Sequence, residues 1–123
     1  MKKTTEHLAF LDSQQARREA AVAKTQRWLL AVDYSLSTTW SETRSFSVAD
    51  RDAEAIDREL VEAVVGKEYS DGSVGFGYRD LEWWFDSCSE ALAANQRVHD
   101  WRLDRGPSDL GIGLFHPDGT MEP

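Results

Sequence analysis

The apolar residues between Val74 and Phe85 change parity partway along. Val74, Phe76 and Tyr78 occupy one set of alternate positions, and Leu81, Trp83 and Phe85 occupy the other. Successive side chains of a strand point to opposite faces, so one flat strand cannot bury both sets on the same side. The segment therefore demands cover on both faces, or a bulge or turn near Arg79-Asp80, and a bulge is the expectation. Just upstream, Asp71-Gly72 is a strong turn signal.

Such a strand needs partners. Residues 28–37 read as one, with Leu30, Val32, Tyr34 and Leu36 on one face and Asp33, Ser35 and Ser37 on the other. After a Ser-Thr-Thr turn, residues 40–48 read as another. Trp40, Phe46 and Val48 share a face with Glu42 and Arg44, opposite Ser41, Thr43, Ser45 and Ser47. These two predict an antiparallel hairpin with a wet, hydroxyl-rich face. Residues 50–65 read as a helix capped by Ser47 or Asp50, buried through Ala53, Ile56, Leu60, Ala63 and Val64, and ended by Gly66. Residues 88–101 read as a further helix. Ser87 and Glu90 have capping-box spacing, and Cys88, Ala91, Leu92, Val98 and Trp101 turn inward.

At 123 residues the chain fits a single domain that buries roughly two-thirds of its unfolded surface. The expected fold is α+β: a small antiparallel sheet of three to four strands with helices packed on one side, in the order α-β-β-α-β-α. Residues 28–105 form the expected core. Residues 106–123 read as an irregular tail with a turn at Pro117-Asp118-Gly119. Residues 1–27 carry an N-terminal helix over 5–26, with Thr4 or Thr5 as its cap. Leu8, Leu11, Ala16, Ala20, Val22 and Ala23 make only a thin apolar stripe. A stripe that thin suits a helix lying at a sheet edge, standing partly free, or pairing with a second copy in a homodimer.

Charge is unevenly distributed. Residues 1–28 hold six Lys/Arg against three Asp/Glu, whereas residues 29–123 hold eight against nineteen. An acidic body repels phosphate backbones and anionic membranes and attracts basic surfaces. Much of the acid lies on the 50–65 helix, at Asp52, Glu54, Asp57, Glu59 and Glu62. No stretch has the shape of a secretory leader or membrane span, and Cys88 is the single cysteine, so a reducing cytoplasm is the expected location.

Motifs for chemistry are sparse. Cys88 falls in the first turn of a helix, where the dipole favours a thiolate, and only His116 could serve it as a base, since His99 lies about three turns along the same helix. The expected state of Cys88 is nonetheless a small buried side chain. His7, His99 and His116 have no zinc-like spacing, and Asp50-x-Asp52-x-Glu54 lacks the glycine and terminal glutamate of a calcium loop, so neither metal nor cofactor is expected. Asp80, Glu82 and Asp86 alternate with aromatics and read as exposed acids on the polar side of a half-buried strand. A carboxylate beside Trp83 or Trp84 would have its pKa raised by desolvation.

Gly75-Phe76-Gly77-Tyr78 resembles the centre of the RNP1 motif of RNA-recognition domains. That likeness implies base stacking by Phe76 and Tyr78 on a strand face. It covers four residues; Val74, Arg79 and Leu81 depart from the motif around it. Trp83-Trp84 places one indole on each face of its strand, and Trp84 with Arg79 forms a candidate interface anchor.

The expected function is therefore a non-enzymatic acidic module that binds a protein partner with a basic surface, with no direct contact to nucleic acid or membrane. An inhibitor of anti-restriction, anti-CRISPR or immunity type would have this character. Its expected binding residues are Asp52, Glu54, Asp57, Glu59, Glu62, Arg79 and Trp84. The alternatives are a small cysteine enzyme using Cys88 with His116, and an RNA-binding domain using Phe76 and Tyr78.

Overall fold

A computed structural model describes residues 5–37 and 51–122. Strands β1 (Trp28–Ser35), β2 (Asp71–Gly75), β3 (Tyr78–Phe85) and β4 (Gly111–Phe115) form one antiparallel sheet in the order β2-β3-β1-β4. Helix α1 (Thr5–Thr25) precedes β1. Helix α2 (Ala53–Glu59) continues into a π-helix (Leu60–Val65) before β2, and α3 (Cys88–Asp104) joins β3 to β4. The chain is an α+β protein with a small antiparallel sheet. From β1 onward, its order and central β1-β3 pair have the split β-α-β topology of ferredoxin-like folds. The strand expected at 40–48 and the caps expected at Ser47 and Asp50 lie outside the described residues.

The parity change is produced by a chain reversal. Phe76 and Gly77 adopt φ of 54° and 80° and link Gly75 to its partner Tyr78. Two successive positive φ angles make a tight hairpin turn whose twist matches that of the flanking strands. The bulge expected near Arg79-Asp80 is absent: β3 pairs in unbroken register with both β1 and β2. Asp71-Gly72 is not a turn either; it opens β2 opposite Glu82 and Leu81. A Cβ at Gly72 would lie 3.0 Å from the Arg79 guanidinium and 3.1 Å from the Tyr69 ring, so close packing accounts for this glycine.

One face of the sheet carries the main core. Leu30, Val32 and Tyr34 of β1, Leu81, Trp83 and Phe85 of β3, and Leu114 of β4 meet the π-helix and α3. Trp83 donates its indole N–H to the Lys67 carbonyl at 2.8 Å, so this large ring is buried with its polar atom satisfied. The π-helix places the adjacent residues Val64 and Val65 inward together, leaving Ala63 exposed where a 3.6-residue period expects it buried. Arg97 donates to the Val64 and Val65 carbonyls at 2.7 and 2.9 Å, and Gly66, with φ of 75°, ends the helix as expected. The cap of α2 is Asp52, which accepts from the Ala55 amide.

Ser87 caps α3 through the Glu90 amide, as its spacing predicts. The buried stripe of α3 is Ala91, Ala94, Val98 and Trp101; Cys88 and Leu92, expected inward, are exposed. The i, i+3, i+7, i+10 spacing of that stripe carries it past both. The expected irregular tail contains β4 as an edge strand. Gly111 and Gly113 hide its alternation in the sequence, while the turn at 117–119 forms as expected, with the Gly119 amide donating to the His116 carbonyl.

Helices α2 and α3 pack on the same side of the sheet, and α1 lies across the other. There Val22 meets Leu29, Ala31, Phe115 and the half-buried Trp84, while Gln14 and Arg18 are buried beside it.

Candidate functional site

The residues expected to bind a partner fall into two groups. Asp52, Glu54 and Glu62 are exposed, and Glu54 pairs with Arg58 one turn away. Glu59 pairs with Arg105 at the surface, which holds its carboxyl below the usual range. Asp57 and Arg79 instead serve the fold. The Asp57 carboxylate accepts from the Tyr34 hydroxyl at 2.6 Å and from Arg79 Nε at 2.9 Å, behind the hairpin. Burial, and then the Asp57 carboxylate, push the Tyr34 hydroxyl well above its ordinary pKa. Trp84 packs on the cluster under α1, with the Arg27 guanidinium 5.7 Å from its ring centre. The structure thus joins Asp57 to Arg79 and places Trp84 on the opposite face.

Every arginine among the described residues donates to a carboxylate or carbonyl of the protein. In contrast, Glu62, Glu68 and Asp71, along the segment from the π-helix to β2, are exposed and form no ion pair with any described residue. Glu68 and Asp71 lie in the acidic 50–71 segment of the sequence but outside the expected binding carboxylates, which are drawn from the 50–65 helix.

A charged layer lies between α1 and the sheet. Asp80 and Glu82 stand on the same face of β3; they were expected to be exposed acids but are only 3% and 5% accessible. Their burial follows from α1, which covers the face a half-buried sheet leaves wet. Arg18 Nε donates to Glu82 Oε2 at 2.5 Å, and Arg17 Nη2 reaches the same oxygen at 2.7 Å. Arg18 Nη2 lies 3.6 Å from Asp80 Oδ1, beyond hydrogen-bond length, and both Asp80 oxygens and Arg18 Nη2 are buried without a hydrogen-bond partner. Asp33 stands directly across from Asp80 in register. Burial first, and the Asp33 charge next, raise the Asp80 pKa; Arg18 offsets this only in part.

Beside this layer a cleft of about 250 Å³ opens between α1 and β4. Arg18 and Asp33 line it on the polar side, with Ala31, Phe115 and Met121 on the apolar side. Gly111 and Gly113 keep it open. A Cβ at Gly111 would come within 2.5 Å of Asp33 Oδ1, and one at Gly113 within 2.9 Å of the Met121 methyl. The alternation Asp80-x-Glu82 was visible in the sequence; its meeting with Arg17-Arg18 was not, because the pairs lie more than sixty residues apart.

The other candidate chemistry is dispersed. Cys88 is exposed at the start of α3. His116 sits two strands from Phe85 in the sheet, paired with Glu122 at 2.7 Å and tilted against the Trp28 ring at 4.3 Å. Phe76 lies in the hairpin turn, whereas Tyr78 starts β3 on the acidic face, so the two do not form a stacking pair on one strand. Among the described residues, no group of three or more His, Cys, Asp or Glu is arranged to hold a metal ion, and no helix is long and apolar enough to cross a membrane. No protein-family model, curated protein or solved structure matches the chain.

Proposed function

We propose that the protein is a non-enzymatic, acidic protein-binding module that docks on a basic surface of a partner protein. The disposition of its cations carries this reading. The described arginines are engaged within the molecule, whereas Glu62, Glu68 and Asp71 face solvent without an ion pair to any described residue, in a chain of net charge −8. What such a molecule offers a partner is negative charge, which steers association with cationic surfaces and opposes nucleic acid. Asp52, Glu54 and Glu59 extend that surface; Asp57 and Arg79 support it from behind through Tyr34. A groove that normally holds a nucleic acid is a partner surface of matching sign, so an inhibitor of anti-restriction, anti-CRISPR or immunity type fits this chemistry. The single cysteine suits action in the cytoplasm.

The test is affinity capture from extracts of the native host by the full chain and by its Glu62→Lys/Glu68→Lys/Asp71→Lys variant. The wild type is expected to retain a specific protein at low salt and release it as salt rises, with the variant retaining little. The reading is overturned if nothing is specifically retained, or if the charge-reversed chain captures the same protein equally well.

A further inference from the structure

We propose that the basic partner docks by strand addition: an extended segment of alternating basic and apolar residues pairs with the outer edge of β2. Such docking presupposes the acidic-module reading above and gives it a surface and a shape. The two edges of the sheet are finished differently. Beyond β4 the chain folds back as cover. The Glu122 amide donates to the Leu114 carbonyl at 2.9 Å, the His116 amide donates to the Thr120 carbonyl at 2.7 Å, and Met121 bridges Phe115. Beyond β2 no strand lies among the described residues. The backbone of β3 fixes which groups of β2 are left over. The Glu82 carbonyl accepts from the Ser70 amide at 2.7 Å, and the Trp84 amide donates to the Ser70 hydroxyl at 3.2 Å, so the even-numbered residues of β3 turn their backbone groups towards β2. Their partners in register are Asp71, Ser73 and Gly75, which therefore bond inward, whereas Gly72 and Val74 turn N–H and C=O outward.

An open row of edge groups is a template for another strand, and proteins commonly guard it with lysine, proline or a covering segment. β2 holds neither lysine nor proline, and Asp71, Gly72, Ser73 and Val74 are all exposed. At five residues it offers pairing to a short segment, not to a whole sheet. In strand addition the main chain supplies affinity and alternate side chains supply specificity. Val74, 63% exposed on one face of the edge, suits an apolar neighbour. Asp71 leads the opposite face, and Glu68 stands in the approach to β2. Both are exposed without an ion pair to any described residue, so they draw lysines or arginines at the alternate positions. A second copy of this chain, at net charge −8, is repelled where a basic segment is attracted.

The test is NMR titration of the full chain at neutral pH and low salt with acetyl-Lys-Val-Lys-Val-Lys-Val-Lys-amide, joined to amide hydrogen exchange. The controls are the same peptide with every backbone amide N-methylated, and the peptide with glutamate in place of lysine. The expected result is saturable binding of the basic peptide, with shifts and slowed exchange at the amides of Gly72 and Val74. N-methylation should weaken binding at least about tenfold by removing the donors of the added strand. Val74→Pro should do the same, since it deletes an outward N–H and leaves the ladder to β3 intact. The glutamate peptide should bind at least about tenfold more weakly than the lysine peptide. The N-methylated peptide carries the test on the wild type if Val74→Pro does not fold. The proposal is overturned by no saturable shift up to roughly 10 mM, by equal binding of the glutamate peptide, or by a dimer in light scattering whose Gly72 and Val74 amides are protected without peptide. It is also overturned by binding that survives N-methylation or the proline; charge attraction would then act without strand addition, and the acidic-module reading would stand. That reading fails separately, in the capture from host extracts.

Discussion

Leu30, Val32 and Tyr34 point from β1 towards α3 and the π-helix, whereas Leu29, Ala31 and Asp33, interleaved with them, point towards α1. The first face is dry, and its large polar-tipped rings are satisfied: Trp83 donates to Lys67 and Tyr34 to Asp57. The second face is closed by two arginines on two buried carboxylates, with Val22 the only fully buried apolar residue of α1 among the described side chains. Apolar burial contributes roughly in proportion to area, whatever the detailed geometry. A buried charged layer contributes only as far as its hydrogen bonds and charge balance allow. The α3 face is therefore the source of global stability, and the α1 face, with the raised pKa of Asp80, is where stability depends on pH.

Two substitutions probe this contrast most strongly. Trp83→Ala empties the centre of the dry face and should lower unfolding stability by roughly 3–5 kcal/mol in denaturant melts. A loss under about 1 kcal/mol would show that the core does not depend on that ring. Arg18→Leu should cost about 2 kcal/mol, less than the usual penalty for breaking a buried pair, because Arg17 stays on Glu82. Its effect should be local. Hydrogen exchange should quicken along α1 while β1 and β3 keep their protection. Uniform loss of protection in α1 and α3 would erase the distinction between the two faces.

The sequence revealed the dry face far better than the charged one. Period-two patterning placed Leu30, Val32 and Tyr34 on one side, and Ser87 and Gly66 marked their helix ends, because these signals are local. The hairpin at Phe76-Gly77 was disguised, since a phenylalanine occupies a positive-φ position that favours asparagine, aspartate or glycine. Edge strand β4 was disguised by its two glycines. The charged layer was least legible: Asp80 and Glu82 alternate as solvent-facing residues do, and only a distant helix with little apolar content turns them into buried groups. The exposed acids of the candidate surface could be read from composition, but which of them the fold would neutralise could not. Asp57 looks like Glu54 until β3 brings Arg79 to it.

Asp80→Asn sharpens the comparison with a smaller effect and a definite sign. The folded state raises the Asp80 pKa, so it holds this proton more tightly than the unfolded chain does. That contribution is complete below the ordinary carboxylate value and is lost as pH rises towards the folded-state pKa. Asparagine removes the charge that costs most at neutral pH. The variant should therefore gain on the wild type as pH rises above the ordinary carboxylate value towards the raised folded-state pKa, at about 1.4 kcal/mol for each unit by which the carboxyl is raised. Paired denaturant melts across that range read the difference directly; a variant that loses ground as pH rises would reverse the assignment.

The smallest effect belongs to the joint between α1 and the sheet. Gln26 follows α1 at φ of 56°, a left-handed conformation that costs a non-glycine residue about 1 kcal/mol. Its amide partly compensates by donating to the Ala23 carbonyl at 2.7 Å. Gln26→Gly relieves the strain but gives up that bond and adds freedom to the unfolded chain. The net gain should be about 0.5 kcal/mol, seen as a small rise in the denaturant midpoint with an unchanged slope. A fall in the midpoint would mean that the side-chain bond, and not the backbone conformation, governs how α1 is led onto the acidic face.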